Sequence, residues 1–278
     1  MFGRREGLSR VLDNYANINK PVFHTCRLRP ITCRENDTLA DVIGTMLDKK
    51  IRKIPVVDKQ NNFKGMITSV DVLDILGGGE KHAIFRKNRT LKIRTGKFMT
   101  KHVTVFDHKK TLRKALEVFK REGKGLYPVT KKGKLIGVLT EWDIVKRVDE
   151  KDVKVYDLMV EKPLTVKRNY TLFDVSKMMC RGGSRRLPVV EKNIPVGVVT
   201  PTDIIRYLRE KGKESEMTTD RTRIADVMNR DIVTIRPEAD LSSAINTMKN
   251  KNVGGLLVTD NDELVGIITE RDILEAFI

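Results

Sequence analysis

One phrase occurs four times in this chain, and it constrains the fold more than any other feature. It reads glycine, two apolar residues, threonine, two variable residues, aspartate. The copies are Gly65-Met66-Ile67-Thr68-Ser69-Val70-Asp71, Gly137-Val138-Leu139-Thr140-Glu141-Trp142-Asp143, Gly197-Val198-Val199-Thr200-Pro201-Thr202-Asp203 and Gly266-Ile267-Ile268-Thr269-Glu270-Arg271-Asp272. Their aspartates lie 72, 60 and 69 residues apart. A pattern that returns at such a period specifies an array of similar small units.

The rest of each unit agrees. A short apolar run precedes each phrase: Ile54-Pro55-Val56-Val57, Tyr127-Pro128-Val129-Thr130, Leu187-Pro188-Val189-Val190 and Leu256-Leu257-Val258-Thr259. Earlier still, Thr32, Thr104, Thr165 and Thr234 precede the pairs Thr38-Leu39, Thr111-Leu112, Thr171-Leu172 and Asp240-Leu241. The first residue of each pair is expected to cap a helix. Leu39, Val42, Ile43, Met46 and Leu47 then recur at helical spacing. Each unit therefore reads strand, helix, strand, strand, helix, an α+β pattern, with its second helix over Val70 to Leu76 in the first copy. Three units open on an apolar-Met pair, Phe98-Met99, Leu158-Met159 and Val227-Met228, whereas the first has Cys26-Arg27-Leu28.

Units this small bury little surface alone and are expected to pair. Three residues before the proline position stand Arg52 and Arg185 in the odd units, Gly125 and Gly254 in the even ones. That alternation suggests a duplicated two-unit module, with one paired to two and three to four. The expected plan is an N-terminal segment 1–20, units at 22–76, 98–149, 155–210 and 224–278, a basic linker 77–97 and a charged linker 211–223. Segment 1–20 reads as a leading helix or tail, and the linker 77–97 is long enough for a helix or strand of its own.

Composition narrows the function. The chain has 278 residues, 40% of them apolar, which is enough for a packed core. No apolar run has the ~18 residues of a membrane span, and the basic start has no apolar stretch behind it, so neither a membrane protein nor a secretory signal is expected. Cys26, Cys33 and Cys180 form no metal or disulfide spacing, which fits a reducing cytoplasm. The four histidines form no metal motif. Against 37 acidic residues stand 54 Lys and Arg, a net charge of +17, which favours polyanionic partners such as nucleotides, nucleic acid or an acidic protein surface. No phosphate-cradling loop exists, since Gly77-Gly78-Gly79-Glu80 lacks the lysine and hydroxyl of one. Four equal copies of Thr and Asp also differ from an active site, which needs unlike groups in distinct roles. No catalytic and no metal-ligating residues are assigned.

These motifs resemble the cystathionine-beta-synthase (CBS) domain. Four copies with little else resemble the regulatory gamma subunit of AMP-activated protein kinase and its free-standing prokaryotic relatives, over residues 22 to 278. The resemblance implies four CBS domains paired into two Bateman modules packed as a flat disc, with nucleotides in clefts between paired domains and a kinase-like or other effector as protein partner. It carries a ribose-binding role to Asp71, Asp143, Asp203 and Asp272, and an accompanying ribose or phosphate contact to Thr68, Thr140, Thr200 and Thr269. A phosphate-facing role falls to Arg52 and Arg185. Gly125 and Gly254 depart from that pattern, as does Leu257 where a proline is usual.

The chemistry of these residue types is consistent with that. A carboxylate at the first turn of a helix accepts charge-assisted hydrogen bonds from a cis-diol. A helix N-terminus favours an anion, and guanidinium groups meet phosphate bidentately. Met66, Val138, Val198 and Ile267 are expected to line a slot for a flat base, with Thr32, Thr104, Thr165 and Thr234 beside them. Thr-x-x-Asp is also a capping pattern. Capping boxes use Glu or Gln, however, and all four copies have the shorter Asp, which favours a ligand. Trp142 either packs in the core or flanks a base. The expected function is an adenine-nucleotide sensor for AMP, ADP or ATP that signals to a partner. The alternatives are a sensor of S-adenosylmethionine or another adenosyl ligand, a module with weak nucleic-acid binding, and a scaffold whose repeats only pack. A homodimer is left open.

Overall fold

The computed structural model describes residues 17–79, 90–182, 184–212 and 221–278. Most of the leading segment 1–20 and the middle of the linker 77–97 fall outside these residues. The described end of that linker holds a 3-10 turn, Thr90–Lys92, and a short helix, Thr95–Phe98.

All four repeats have the expected order. Their hairpins pair Lys53–Val57 with Phe63–Thr68, Leu126–Lys131 with Lys134–Thr140, Leu187–Glu191 with Ile194–Val199, and Gly255–Asp260 with Glu263–Thr269. The register slips once in each hairpin, after Val56, Val129, Val189 and Val258. That common irregularity shows the repeats to be copies at the level of backbone. Three hairpins turn on two residues in the left-handed region, Lys132-Gly133, Lys192-Asn193 and Asn261-Asp262, the geometry that matches strand twist. A short strand lies parallel to the first hairpin strand, with Cys33 opposite Val56, Phe106 opposite Val129, Val166 opposite Val189 and Thr234 opposite Leu257.

Between that short strand and the hairpin run the helices Leu39–Asp48, Leu112–Glu122, Leu172–Gly182 and Leu241–Lys251. Thr38, Thr111 and Thr171 cap three of them, accepting from the backbone N–H three residues on at 3.3, 3.5 and 3.1 Å. Asp240 stands at the fourth cap but makes no capping bond, because its carboxylate pairs with Lys154. After the first hairpin the helix covers Ser69–Leu73 and widens into a π-turn, Asp74–Gly78. The expected helix Val70 to Leu76 thus starts one residue earlier and ends two later, its second half wound as a wide turn. It ends where Gly77 takes a φ of 125°, open only to glycine.

The chain forms two compact units. One holds the described residues of 1–30, 104–163 and 233–278, hence repeats two and four; the other holds those of 31–103 and 164–232, hence repeats one and three. Each has its own core. In the first, Phe106 stacks on Tyr127 with ring centres 4.7 Å apart, and Phe119 meets Tyr127 edge-on. The helices Glu141–Val145 and Glu270–Phe277 pack together beside them. In the second, Leu39, Ile43, Ile54, Ile67 and Leu73 meet Leu172, Leu187, Ile204 and Leu208, and Ser69–Leu73 packs on Pro201–Lys211.

The opening segment of each repeat lies on the hairpin of a different repeat. Thr100 bridges Met66, Arg27 pairs with Val138, Asn229 bridges Val198, and Val160 pairs with Ile267. Repeats one and two thus exchange openings, and so do three and four. Only the openings follow the expected coupling of one with two and three with four; the cores are shared by one with three and by two with four, which corrects the expectation that one packs with two. The exchange explains the glycine of the phrase. A Cβ on Gly65 would lie 2.7 Å from the Thr100 carbonyl oxygen, and one on Gly197 would lie 2.6 Å from Met228 Sδ. On Gly266 it would meet Met159 Sδ at 2.7 Å, and on Gly137 Cys26 Sγ at 2.8 Å. Cys26 therefore fills the place that methionine fills in the other three repeats. Burial raises its thiol to about 11, well away from a reactive thiolate.

Candidate ligand site

Each phrase ends a hairpin strand and starts a helix, and the turn between them aims its Thr and Asp at each other. Thr68 N–H and Oγ1–H donate to Asp71 Oδ2 at 2.9 and 2.7 Å, and Asp71 N–H donates back to Thr68 Oγ1 at 3.2 Å. Thr140 and Asp143 match this at 3.1, 2.7 and 3.2 Å, and Thr200 and Asp203 at 2.9, 2.6 and 3.4 Å. Thr269 donates to Asp272 Oδ2 at 2.8 and 2.6 Å. Aspartate does reach back, so the expectation that its side chain is too short for a capping box is corrected. An extended Thr shortens the span that the carboxylate must cross.

The cap does not account for the burial. Thr38 with Asp41 and Thr171 with Asp174 make the same Thr-to-Asp bond at the other helix of repeats one and three, yet Asp41 and Asp174 are exposed. Asp71 and Asp143 are 9% and 1% exposed, and Asp203 and Asp272 are half-buried. Taking a carboxylate out of water costs free energy that a solvent-side cap avoids. The pKa directions separate the two kinds. Bonds from Thr38 hold Asp41 below its ordinary 3.8, whereas burial raises Asp272 above it.

The cap occupies Oδ2 with two donors, so further partners fall to the second oxygen. That oxygen differs among copies. Asp143 Oδ1 accepts from Lys146 Nζ at 3.1 Å, and its side chain is 2% exposed. Asp203 Oδ1 accepts from Arg206 at 3.0 Å, with the arginine nearly half exposed. Arg271, beside Asp272, is turned instead to Glu141, at 3.1 Å. Lys146 and Arg206 were not anticipated from sequence, although a cation three residues beyond an aspartate on a helix is a recognisable pair.

The other candidate residues fall into place around these phrases. The Arg52 carbonyl accepts from Ser69 N–H at 2.8 Å, which sets this exposed arginine at the start of the Asp71 helix. Gly125 and Gly254 occupy the same point in their repeats, accepting from Glu141 and Glu270 N–H at 3.4 Å. Arg185 is exposed two residues before its hairpin, and Pro201, facing it in the pattern, has no N–H to give. Met66, Val138, Val198 and Ile267 sit where the exchanged openings pair with the hairpins, and all but Val198 are buried. Thr32 and Thr165 lie just before the short parallel strand, both half-buried. Thr234 is exposed within it. Thr104 gives its hydroxyl to Glu122 at 2.7 Å rather than leaving it for a base. Trp142 packs half-buried against its unit's core. The openings add apolar groups that sequence did not single out, Leu28 at 46% and Val160 at 47% exposure. Among the described residues, no group of three or more His, Cys, Asp or Glu could hold a metal ion, and no helix is long and apolar enough to cross a membrane.

For Asp272, a half-buried carboxylate, removal has a distinctive sign. Its folded pKa lies above the ordinary value, so the folded state loses stability as pH rises from 3.8 through the raised pKa. Ligand-stripped Asp272→Asn should therefore be at least as stable as the parent near pH 7, with any gain vanishing below pH ~4. Asp41→Asn should behave oppositely, since its lowered pKa contributes stability that is lost as pH falls. Urea unfolding of both variants across pH 3–7 checks this.

Comparison with known proteins follows the same four blocks. The CBS domain model matches residues 24–78, 96–150, 155–210 and 224–278. Protein MJ1225 of Methanocaldococcus jannaschii is 30% identical over 266 residues, covering 89% of this chain and 95% of that one. Its crystal structure, described as that of a proposed archaeal homolog of g-AMPK, superposes with a TM-score of 0.84 at 28% identity over 93% of this chain and all of that one. A 33.4 kDa protein from the ribosomal RNA operon of Thermofilum pendens is 25% identical, covering 84% and 83% of the two chains. A conserved protein of Pyrococcus horikoshii shares the fold at a TM-score of 0.60 and 21% identity, over 93% of this chain and all of its own. With the family model matched over most of its length, this chain belongs to the CBS-domain family, as a member with four repeats.

Proposed function

We propose that the chain is a regulatory adenine-nucleotide-binding protein. AMP, ADP or ATP lies against the phrase of one repeat and the opening segment lent to it by the neighbouring repeat. The observation that carries this is the burial of the phrase carboxylates beside their exposed capping twins. A buried carboxylate with one oxygen committed to a cap can turn the other to a ribose, Lys146 and Arg206 releasing that oxygen in the second and third copies. That oxygen has two lone pairs, enough for the 2′- and 3′-hydroxyls. Leu28 and Val160 offer apolar surface for a base at repeats two and four, and Arg52, Arg185 and Arg206 offer cations for phosphate at repeats one and three. The likeness to MJ1225, described in terms of g-AMPK, supports the choice of adenine nucleotides.

Regulation follows if the nucleotide binds one arrangement of the repeats more tightly than another, because only differential affinity shifts an equilibrium. A partner protein then reads the shift. The test is native mass spectrometry of stripped protein with AMP, ADP and ATP. Saturable addition of between one and four nucleotides supports the proposal, and no added mass at millimolar nucleotide contradicts it.

A further inference from the structure

The sheet of repeat two ends, on the side away from its phrase, in a concentration of positive charge. The tip Lys131-Lys132-Gly133-Lys134 closes its hairpin. Thr140 lies at the other end of the strand Lys134–Thr140, about 20 Å away at the rise of a strand. The loop 107–111 sits beside the tip, its His108 N–H donating to the Thr130 carbonyl at 2.9 Å. The opening of repeat one borders that loop, with Val22 N–H donating to the Lys110 carbonyl at 2.8 Å and Leu112 N–H to the Lys20 carbonyl at 2.9 Å. Across the segments 20–29, 107–114 and 130–137 stand ten Lys and Arg against one acid. That acid, Asp107, accepts from Lys109 N–H at 2.9 Å and faces His108 Nδ1 at 3.3 Å. Lys20, Lys109, Lys131, Lys132 and Lys134 are all exposed.

Repeat four builds the same frame with the opposite sign. Asp260 and Glu263 face each other across its tip as Lys131 and Lys134 do in repeat two. Asn261, with a φ of 45°, takes the place of Lys132, with a φ of 51°. Glu238 takes the place of Lys109, since Tyr156 N–H bonds the Pro237 carbonyl just as Phe23 N–H bonds that of His108. The equivalent segments 153–162, 236–243 and 259–266 hold three Lys and Arg against seven acids. The backbone therefore does not need lysine at these places, and the fold leaves their charge free for another purpose. Among the described residues, the loop and the tip expose no large apolar side chain. A protein partner is normally held by apolar or aromatic anchors, whereas an interface with nucleic acid is more polar and far more positive. Phe23, 40% exposed at the border of the loop, offers a ring to an unstacked base.

We infer that repeat two carries, at the end of its sheet opposite the phrase, a surface that binds the phosphate backbone of nucleic acid without reading its sequence. Lysines set on a loop and a hairpin tip meet phosphates as point charges, which position a strand and carry no base information. The acidic counterpart on repeat four repels the same backbone, so contact is confined to one end. This surface is independent of the nucleotide proposal and shares none of the phrase residues.

The experiment is fluorescence anisotropy of the full chain with a labelled duplex of about 20 base pairs and a single strand of the same length, over a series of salt concentrations. One variant combines Lys109→Glu, Lys131→Asp, Lys132→Asn and Lys134→Glu, the residues that repeat four already carries in this frame. A control combines Lys59→Glu, Lys97→Glu, Lys167→Glu and Lys192→Asn, the same change in net charge at exposed lysines elsewhere. Folding is checked by urea midpoint, and Lys131→Asp alone serves should the fourfold variant be unstable. The parent should bind with a log–log salt slope of about −3 or steeper, and the first variant should bind about tenfold more weakly or worse, with a shallower slope. The control should stay within about threefold of the parent, and Lys131→Asp alone should cost about twofold or more. AMP titration should give the same result for the parent and both variants. No binding of either nucleic acid at low salt overturns the inference, as does equal loss in variant and control, which would assign binding to net charge alone. Tighter binding of polyglutamate or of phosphatidylglycerol vesicles than of nucleic acid overturns the choice of partner.

Discussion

Gly137→Val is expected to destabilise the protein by about 3 kcal/mol, the upper end of what overpacking costs in a close-packed interior. The added Cβ would stand 2.8 Å from the Arg27 carbonyl oxygen and 2.8 Å from Cys26 Sγ. The first of these atoms is backbone, so no side-chain rotation relieves the clash. The exchanged opening must lift from the hairpin, and the pairing of Arg27 with Val138 and Leu28 with Gly137 goes with it. A control separates this from a general cost of losing glycine. Gly182 ends the helix Leu172–Gly182, and a Cβ added there would meet nothing within 4 Å. Gly182→Ala should leave the urea midpoint almost unchanged, or raise it slightly through helix propensity. Equal small effects at both positions would show that the exchanged openings do not constrain the phrase.

Asp203→Ala should show the largest effect on binding, since it removes an acceptor that the proposal gives to the ribose. The loss of a charge-assisted hydrogen bond is worth roughly 1.5–3 kcal/mol, or about 10- to 100-fold in affinity. The same change deletes the acceptor for Thr200 N–H and Oγ1–H, at 2.9 and 2.6 Å. A cap loss of about 1 kcal/mol in stability therefore accompanies it. Asp174→Ala supplies the comparison, because it breaks the same kind of bond, Thr171 Oγ1 to Asp174 at 2.6 Å, on an exposed helix start. That variant should lose stability and keep full affinity, as measured by AMP titration beside urea unfolding. Parallel behaviour of the two would reduce the phrase to a helix cap.

Local structure was legible because the repeats write it four times over. The hairpins, the helices after Thr38, Thr111 and Thr171, and the odd-even contrast of Arg52 and Arg185 with Gly125 and Gly254 all follow from spacing. The exchange of openings was not legible, since a short segment such as Arg27-Leu28 carries no mark of which hairpin edge it joins. A signal did exist in the phrase itself, where glycine inside a strand commonly indicates close backbone approach. The sharing of cores between repeats one and three and between two and four also escaped the sequence. Residues such as Leu73 and Ile204 read simply as apolar faces, and apolar faces do not name their partners. At the site, side-chain length was the wrong test of capping, because Thr68 N–H reaches Asp71 at 2.9 Å. Burial of Asp71 and Asp143 against exposure of Asp41 and Asp174 is a tertiary property that no local motif encodes.

The central claim is that the phrase carboxylates hold a ribose through both hydroxyls. The measurement that tests it most directly is calorimetric titration of the stripped protein with AMP and with 2′-deoxy-AMP under one set of conditions. The account predicts that the deoxy ligand binds roughly 5- to 150-fold more weakly, since removing one partner leaves a buried acceptor short by about 1–3 kcal/mol. Equal affinity for the two ligands would contradict it.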